Sequence, residues 1–228
     1  MSSDIPVITV DGPSGTGKGT VSAIICQKLG FHFLDSGALY RLLGLATQNH
    51  NISFDDVEAL VSLAKDLDIE FEKSQEGVIT GEILLEGQGV SGFIRTEECG
   101  NWASKVAVIP EVRQALVARQ HAFRQFPGLV ADGRDMGTVI FPNANLKIYL
   151  TASAEERAER RHNQLKQKGI DVKLADLYEE IKERDARDSN RKVAPLKPAE
   201  DAVVIDTTDL DIDSVVNQVI SAWENVSR

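Results

Sequence analysis

Residues 11–20, DGPSGTGKGT, hold four glycines and one lysine between two apolar stretches. Small residues let consecutive backbone N–H groups curl around phosphate oxygens, and the amino end of the following helix adds partial positive charge. The segment matches the G-x-x-x-x-G-K pattern, whose lysine, here Lys18, reaches the β- and γ-phosphates of a nucleotide. We therefore predict a phosphate-binding loop made of Gly12, Pro13, Ser14, Gly15, Thr16, Gly17, Lys18, Gly19 and Thr20.

Two oxygen-bearing side chains could hold Mg²⁺ beside this loop. Gly19 takes the usual Ser or Thr position of the pattern, and the hydroxyl comes one residue later, at Thr20. Asp132 ends an apolar stretch, where a doubly wound sheet places ligand groups, and an acid there can hold Mg²⁺ or its waters. We predict a Mg²⁺ site at Asp132 and Thr20, with contact through water, although Asp132 could instead cap a turn. Arg134 and Asp135 follow and project toward the same crevice.

Basic residues concentrate in the C-terminal third of the chain. Four polar residues repeat on one face of a predicted helix, namely Arg184, Arg187, Asp188 and Arg191. A second cluster near the start of the preceding helix comprises Arg157, Arg160 and Arg161. Such clusters can gather phosphates, but ordinary i,i+4 surface pairs such as Glu180 with Arg184 explain the same spacing. Spacing alone leaves both interpretations open.

Composition narrows the class of protein. The 228 residues suffice for one domain with a sizeable core, and a net charge of −10 disfavours a nucleic-acid binder. No apolar stretch approaches the roughly 20 residues that span a bilayer, and no secretory signal begins the chain. Cys26 and Cys99 have no metal-ligand or redox spacing. We expect a cytoplasmic protein with neither a membrane nor a nucleic-acid partner.

The elements that must position these residues alternate between strand and helix. Strands are predicted at 5–10, 31–34, 129–131, 146–150 and 202–205. Helices are predicted at 18–29, 38–48, 110–124, 153–168, 174–190 and 212–224. This alternation predicts a doubly wound α/β sheet. Residues 69–96 break the rhythm with short strands and turns at 76–77, 86–89 and 91–92, which predicts a small β-rich insert in a single domain.

Four separated motifs, in the same order, resemble the bacterial cytidylate kinases, which are nucleoside monophosphate kinases with a phosphate-binding loop. They are DGPSGTGKGT at 11–20, LDSGALYR at 34–41, ADGRDMGT at 131–138 and KERDARDSNR at 182–191. The segment EGQGVSGFIRT at 86–96 is similar to the insert of that family. The resemblance runs from about residue 6 to the end of the chain. It implies a fold of the P-loop NTPase type with five parallel core strands.

The same resemblance implies a division of the single domain, residues 1–228. A nucleoside monophosphate (NMP) binding insert is expected at about 38–105 and a helical lid at about 155–170. The implied reaction transfers a phosphoryl group from Mg²⁺-bound ATP to CMP or dCMP, giving ADP and CDP or dCDP. ATP and CMP or dCMP are then the small-molecule partners, and we expect a monomer.

The resemblance also assigns residues by position. Those expected to bind CMP are Ser36, Tyr40, Arg41, Ser104, Arg113, Arg134, Asp135, Arg184, Asp188 and Arg191. Within this set Ser36, Arg41 and Arg134 are implied to contact the phosphate, and Ser104, Arg113 and Asp135 to read cytosine. The Tyr40 ring is expected near the acceptor nucleotide. The catalytic residues implied are Lys18, Arg134, Arg157, Arg161 and Arg191, and Arg160 belongs to the lid with two of them.

Two other functions fit parts of the pattern. A kinase for another monophosphate, such as UMP or AMP, would use the same loop and arginines. A nucleotide-dependent switch without turnover would need only the loop and a partner surface, and the sequence has no evident surface of that kind. No Asn-Lys-x-Asp sequence follows the loop, which disfavours a GTPase.

Overall fold

The computed structural model describes residues 5–71 and 82–227 and is built on a parallel sheet of five strands. In chain order these strands are β1 (Val7–Asp11), β2 (His32–Asp35), β6 (Leu129–Gly133), β7 (Leu146–Thr151) and β8 (Val203–Asp206). Their spatial order is β2-β6-β1-β7-β8, so β1 lies at the centre, between β6 and β7. The predicted doubly wound fold is confirmed. The glycine loop therefore leaves the middle of the sheet at the carboxyl ends of its strands.

Helices cover both faces of this sheet. They are α1 (Lys18–Leu29), α2 (Ser36–Asn49), α3 (Val57–Asp66), α4 (Glu97–Val106), α5 (Pro110–Ala122), α6 (Ala154–Gln167), α7 (Leu174–Ser189) and α8 (Ile212–Val226). Several begin as the sequence predicts: Ser153 accepts a hydrogen bond from the backbone N–H of Glu156 at 3.1 Å and so caps α6. Within residues 5–71 and 82–227, no helix combines the length and the apolar character that crossing a membrane requires.

The segment between β2 and β6 forms a separate layer. A three-stranded antiparallel sheet, β3 (Ile69–Phe71), β4 (Ile83–Leu85) and β5 (Gln88–Gly89), confirms the predicted β-rich insert. The turn predicted at 76–77 lies outside the described residues. The sequence did not predict α3 and α4, which flank this small sheet, and residues 93–95 form a single 3₁₀ turn where strand was expected.

Each layer has its own apolar core. Ile8, Ile148 and Val215 belong to the core of the parallel sheet. The core of the insert gathers apolar residues of α2, α3, α4 and α5, including Leu43 and Leu60. The parallel sheet has a second core, which includes Leu129 and Met136. The smallest core joins α6 to α7 and consists of Ala158, Leu165, Leu177 and Ile181. The parallel sheet, the insert and the α6–α7 pair therefore have separate apolar cores. Polar side chains from all three can meet in the space between them.

Candidate active site

The loop between β1 and α1 folds back on itself because its glycines adopt backbone conformations that other residues rarely reach. Gly12 has φ of 146°, and a Cβ atom placed on it would lie 2.0 Å from the carbonyl oxygen of Leu150. Gly15 has φ of 82°, and its Cβ would lie 3.0 Å from the Cβ of Arg157. The neighbouring strand β7 and helix α6 thus approach the loop so closely that side chains are excluded at both positions.

The side chain of Lys18 folds back onto the loop that precedes it. Its Nζ donates a hydrogen bond to the carbonyl of Pro13 at 2.7 Å, and the side chain is buried. Burial and, to a smaller extent, the charge of Arg134 together lower the pKa of Lys18 to about 7, although the carboxylate of Asp132 opposes them. A phosphate bound in the loop would supply negative charge to this site and favour the charged lysine.

A cavity of about 730 Å³, here called the loop cavity, opens beside Ser14, Gly15, Gly17 and Thr20. Its wall also carries the three arginines of α6: Arg157, Arg160 and Arg161. Arg157 is held most firmly: it donates to Asp185 at 2.5 and 3.1 Å and to the carbonyl of Ser14 at 3.1 Å. Arg161 pairs with Glu97 of α4 at 2.6 Å. All three arginines predicted for the lid therefore line the loop cavity.

A second cavity of about 510 Å³, here called the arginine cavity, shares part of its wall with the first, including Ser14, Thr20 and Arg184. This cavity is lined by all ten residues that the family resemblance assigned to CMP binding. They are Ser36, Tyr40, Arg41, Ser104, Arg113, Arg134, Asp135, Arg184, Asp188 and Arg191. They come from α2, α4, α5, α7 and the segments that follow β6 and α7. The fold thus brings together residues that are up to 155 positions apart in the chain.

Buried ion pairs organise the arginine cavity. Asp188 accepts a hydrogen bond from Arg134 at 2.9 Å and another from Arg191. Burial alone would raise the pKa of Asp188, but the surrounding arginines outweigh it and hold that pKa below its usual value. Burial lowers the pKa of Arg184 to about 10, helped by Arg134 and Arg41. Because several guanidinium groups converge on a single carboxylate, the cluster retains excess positive charge suited to an anion.

Two of these arginines have hydrogen-bonding capacity left over. The Nε atoms of Arg184 and Arg191 are buried and have no hydrogen-bond partner among the described residues. The hydroxyl of Tyr40 is also buried and likewise has no hydrogen-bond partner there. Buried polar atoms of this kind are uncommon, and a ligand that supplies acceptors explains them. Tyr40 also packs its ring 5.6 Å from the guanidinium carbon of Arg113. Burial raises the pKa of Tyr40 to about 12, so its hydroxyl is protonated at neutral pH.

Arg113, Asp135 and Arg41 are held by contacts within the protein. The guanidinium of Arg113 forms a buried ion pair with Asp135, and both residues line the cavity. Arg41 donates to the backbone carbonyls of Ile94 and Thr96 at 2.6 and 2.9 Å. These hydrogen bonds join α2 to the turn that precedes α4.

The sequence analysis did not identify three side chains that hold the predicted site residues in place. Gln120 is fully buried and accepts a hydrogen bond from the Ser36 hydroxyl at 2.7 Å. Asp185 pairs with Arg157 of α6, and Glu97 pairs with Arg161 of the same helix. Asp185 stands within the quoted arginine-rich motif, but nothing in the sequence links Gln120 or Glu97 to partners more than 60 positions away.

Asp132 and Thr20 both line the arginine cavity beside the loop. Burial raises the pKa of Asp132 to about 7, an effect that Lys18 opposes and Asp35 reinforces. A Cβ placed on Gly19 would lie 3.7 Å from Oδ2 of Asp132, so this carboxylate faces the start of α1. Among residues 5–71 and 82–227, no group of three His, Cys, Asp or Glu side chains could hold a metal ion by itself.

A parallel sheet with a glycine loop at its centre and a second, arginine-lined cavity beside that loop defines a protein of the phosphate-loop class. The sequence model of the cytidylate kinase family matches residues 8–225, and the chain belongs to this family. The chain is 63% identical over 216 residues to the cytidylate kinase of Marinomonas sp. strain MWYL1, covering 95% of this chain and 94% of the relative. It is 58% identical over 220 residues to that of Colwellia psychrerythraea strain 34H, covering 96% of each chain. The chain is thus an enzyme, a kinase, as predicted.

Proposed function

We propose that this kinase transfers the γ-phosphoryl group of ATP, bound with Mg²⁺, to CMP or dCMP and releases ADP with CDP or dCDP. The observation that carries the proposal is the common lining of the arginine cavity by all ten residues that the resemblance assigned to the acceptor. This cavity adjoins the loop cavity, and the two share Ser14, Thr20 and Arg184. Two anionic ligands bound side by side would meet at this shared wall.

The donor occupies the loop cavity in this proposal. Backbone N–H groups of the glycine-rich loop would surround its phosphates. Lys18 lines the neighbouring arginine cavity and would reach the β- and γ-phosphates from that side. Arg157, Arg160 and Arg161 face this cavity from α6. Each is now paired with protein groups, so a bound triphosphate would compete with Glu97 for Arg161. That exchange gives the predicted lid, residues 155–170, a reason to shift when the donor binds.

The acceptor occupies the arginine cavity. Its phosphate is supported by Arg41, Arg134, Arg184 and Arg191, a group of four positive charges from which Asp188 accepts two of the hydrogen bonds. No protein base is needed, because the attacking phosphate oxygen is already ionised at neutral pH. The protein supplies position and charge stabilisation, and closure over the two nucleotides would exclude water as a competing acceptor.

Cytosine is recognised at the Arg113–Asp135 pair in this proposal. Cytosine presents an N4 amino donor beside acceptors at N3 and O2. A carboxylate at Asp135 can accept from N4 while Arg113 donates to the acceptor edge, and the Ser104 hydroxyl can serve either role. Uracil has an acceptor at position 4, so it would face the carboxylate without a proton between them.

The chemistry of the donor set fits a magnesium ion. Hard oxygen ligands are what Mg²⁺ requires, and it keeps several waters when carboxylates and phosphates hold it. Asp132 presents a buried carboxylate toward the loop, and Thr20 has its hydroxyl on the same cavity wall. When bound, Mg²⁺ neutralises phosphate charge. Asp132 and Thr20 would hold it through its waters.

The division into an insert at about 38–105 and a lid at about 155–170 is part of the proposal. The separate apolar cores of the insert and of the α6–α7 pair support it, since each could move as a unit. The test of the whole proposal is ADP release from Mg²⁺-bound ATP with CMP, dCMP, UMP, AMP and GMP supplied separately. We expect CMP and dCMP to drive turnover. ADP release that ignores every monophosphate would instead indicate a nucleotide switch.

A further inference from the structure

Asp11 connects the phosphate-binding loop to the segment that carries Arg134 and Asp135. It is the last residue of β1 and is buried, although it begins the glycine-rich motif. Its two carboxylate oxygens accept hydrogen bonds from the backbone N–H groups of Met136, at 2.9 Å, and Gly137, at 2.8 Å. No other part of the proposed mechanism uses this carboxylate.

The two N–H groups belong to the first turn of a short π-helix, Met136–Ile140. The N–H groups of a first turn have no partner within their own helix, so the side chain of the preceding residue commonly accepts from them. Asp135 precedes this helix and is a residue type that favours this role. Its side chain nevertheless makes no capping hydrogen bond and pairs with Arg113 instead.

Asp135 does not cap the Met136–Ile140 helix because the carboxylate of Asp11 already occupies that position. Asp11 reaches the two N–H groups from the neighbouring strand, so they do not need Asp135. The backbone carbonyl of Asp135 still accepts from Val139 at 2.9 Å and from Ile140 at 3.2 Å, which keeps Asp135 at the start of the helix. Its carboxylate is left to project into the arginine cavity.

We propose that Asp11 is a positioning residue for base selection: by capping the Met136–Ile140 helix from β1, it leaves Asp135 free to pair with Arg113 and to read the base. This inference rests on the proposed function, because it assigns a purpose to the cytosine-reading pair.

The variant Asp11→Asn tests the proposal. An amide keeps one acceptor oxygen and replaces the other by an NH₂ group, so one backbone N–H of the helix loses its partner. The carboxylate of Asp135 is the nearest local substitute, and capping would draw it away from Arg113. We expect the ratio of kcat/KM for CMP to that for UMP to fall about tenfold, as the loss of a charged hydrogen bond implies. ATP affinity measured without acceptor should stay within about twofold of wild type.

A double-mutant cycle separates positioning from simple damage. If Asp11 acts through Asp135, then Asp11→Asn should leave the CMP to UMP ratio unchanged in an Asp135→Ala background. Val219→Ala, a core change in α8 away from both cavities, is the control for lost stability and should keep the wild-type ratio. Asp11→Ser, which removes the carboxylate without placing an NH₂ group against the backbone N–H groups, replaces Asp11→Asn if the latter does not fold.

The outcomes are distinct. An unchanged ratio in Asp11→Asn, or a further fall in the Asp135→Ala background, overturns the proposal. So does an equal loss with CMP, UMP and ATP, because that marks Asp11 as structural only. A wild-type enzyme that does not prefer CMP in the same assay contradicts the proposed function instead of this inference.

Discussion

The loop cavity and the arginine cavity lie side by side and are built in different ways. One side of the loop cavity is the glycine-rich loop, through Ser14, Gly15 and Gly17, and both glycines have positive φ. The arginine cavity also touches that loop, but the rest of its wall consists mainly of side chains from α2, α4, α5 and α7 and from the segments that follow β6 and α7. A contiguous loop keeps its geometry through local sterics, whereas the side-chain cavity keeps its geometry through buried ion pairs such as Arg134 with Asp188.

This difference determines how each cavity can be damaged. The loop cavity is sensitive to an added carbon, because Cβ atoms at Gly12 and Gly15 would meet Leu150 and Arg157. The arginine cavity is sensitive to a removed charge, because each buried carboxylate or guanidinium leaves a partner unpaired. The four predictions below test this contrast, beginning with the largest expected effect.

Lys18→Met should lower kcat with CMP by about 10²–10³-fold, or roughly 3–4 kcal/mol, because one preorganised charge at the transferring phosphates is lost. Folding should survive, since burial already disfavours the charge on Lys18, as its lowered pKa of about 7 indicates. Steady-state kinetics and a thermal melt measure the two effects. Lys28→Met, an exposed position on the same helix, is the matched control. Turnover within fivefold of wild type would contradict the phosphate-loop assignment.

Asp135→Ala should reduce the preference for CMP over UMP by roughly 10–150-fold, the effect of leaving polar groups unpaired in a closed site. The loss should fall on kcat/KM for CMP, while ATP affinity is spared. Comparing the two acceptors at fixed ATP measures it, with the exposed Asp201→Ala as a control. Equal weakening of CMP and UMP would mean that Asp135 supports the phosphate site and that cytosine is read elsewhere.

Gly15→Ala should raise the KM for ATP by about 5–30-fold and leave the CMP to UMP ratio unchanged. A left-handed backbone costs a non-glycine residue about 1–2 kcal/mol, and the new methyl group also presses on Arg157. Gly30→Ala is a matched control, because Gly30 has φ of 67° but no atom within 4 Å of its Cβ. An unchanged KM for ATP in Gly15→Ala would remove the steric argument for the loop cavity.

The pH dependence of kcat should be the smallest effect, a change of no more than about twofold between pH 8 and 7. A phosphate monoester has its second pKa near 6, and the arginines around the acceptor should lower that value further. The acidic fall of kcat should therefore lie below about pH 6. A profile that falls already between pH 8 and 7 would indicate a protein base in the arginine cavity.

Local sequence patterns predicted the strands and helices of the parallel sheet well. The helix at 18–29 has the predicted bounds, and the strand at 146–150 extends by one residue. Strand β1 is shifted to Val7–Asp11, and α2 begins at Ser36 instead of residue 38, because Asp35 caps it through the N–H of Ala38 at 2.9 Å. The insert was predicted less well: α3 and α4 pack on neighbours that local patterns do not reveal.

The sequence by itself determined the phosphate-binding loop, because its ligands are consecutive backbone groups and its glycines are required by local conformation. It also determined which arginines and acids belong together, but only through resemblance to a family. The tertiary structure decided how those side chains pair: Arg113 with Asp135, Ser36 with Gln120, and Asp11 with the helix after Asp135. Pairing of this kind depends on the approach of distant strands and helices, and no local spacing encodes it.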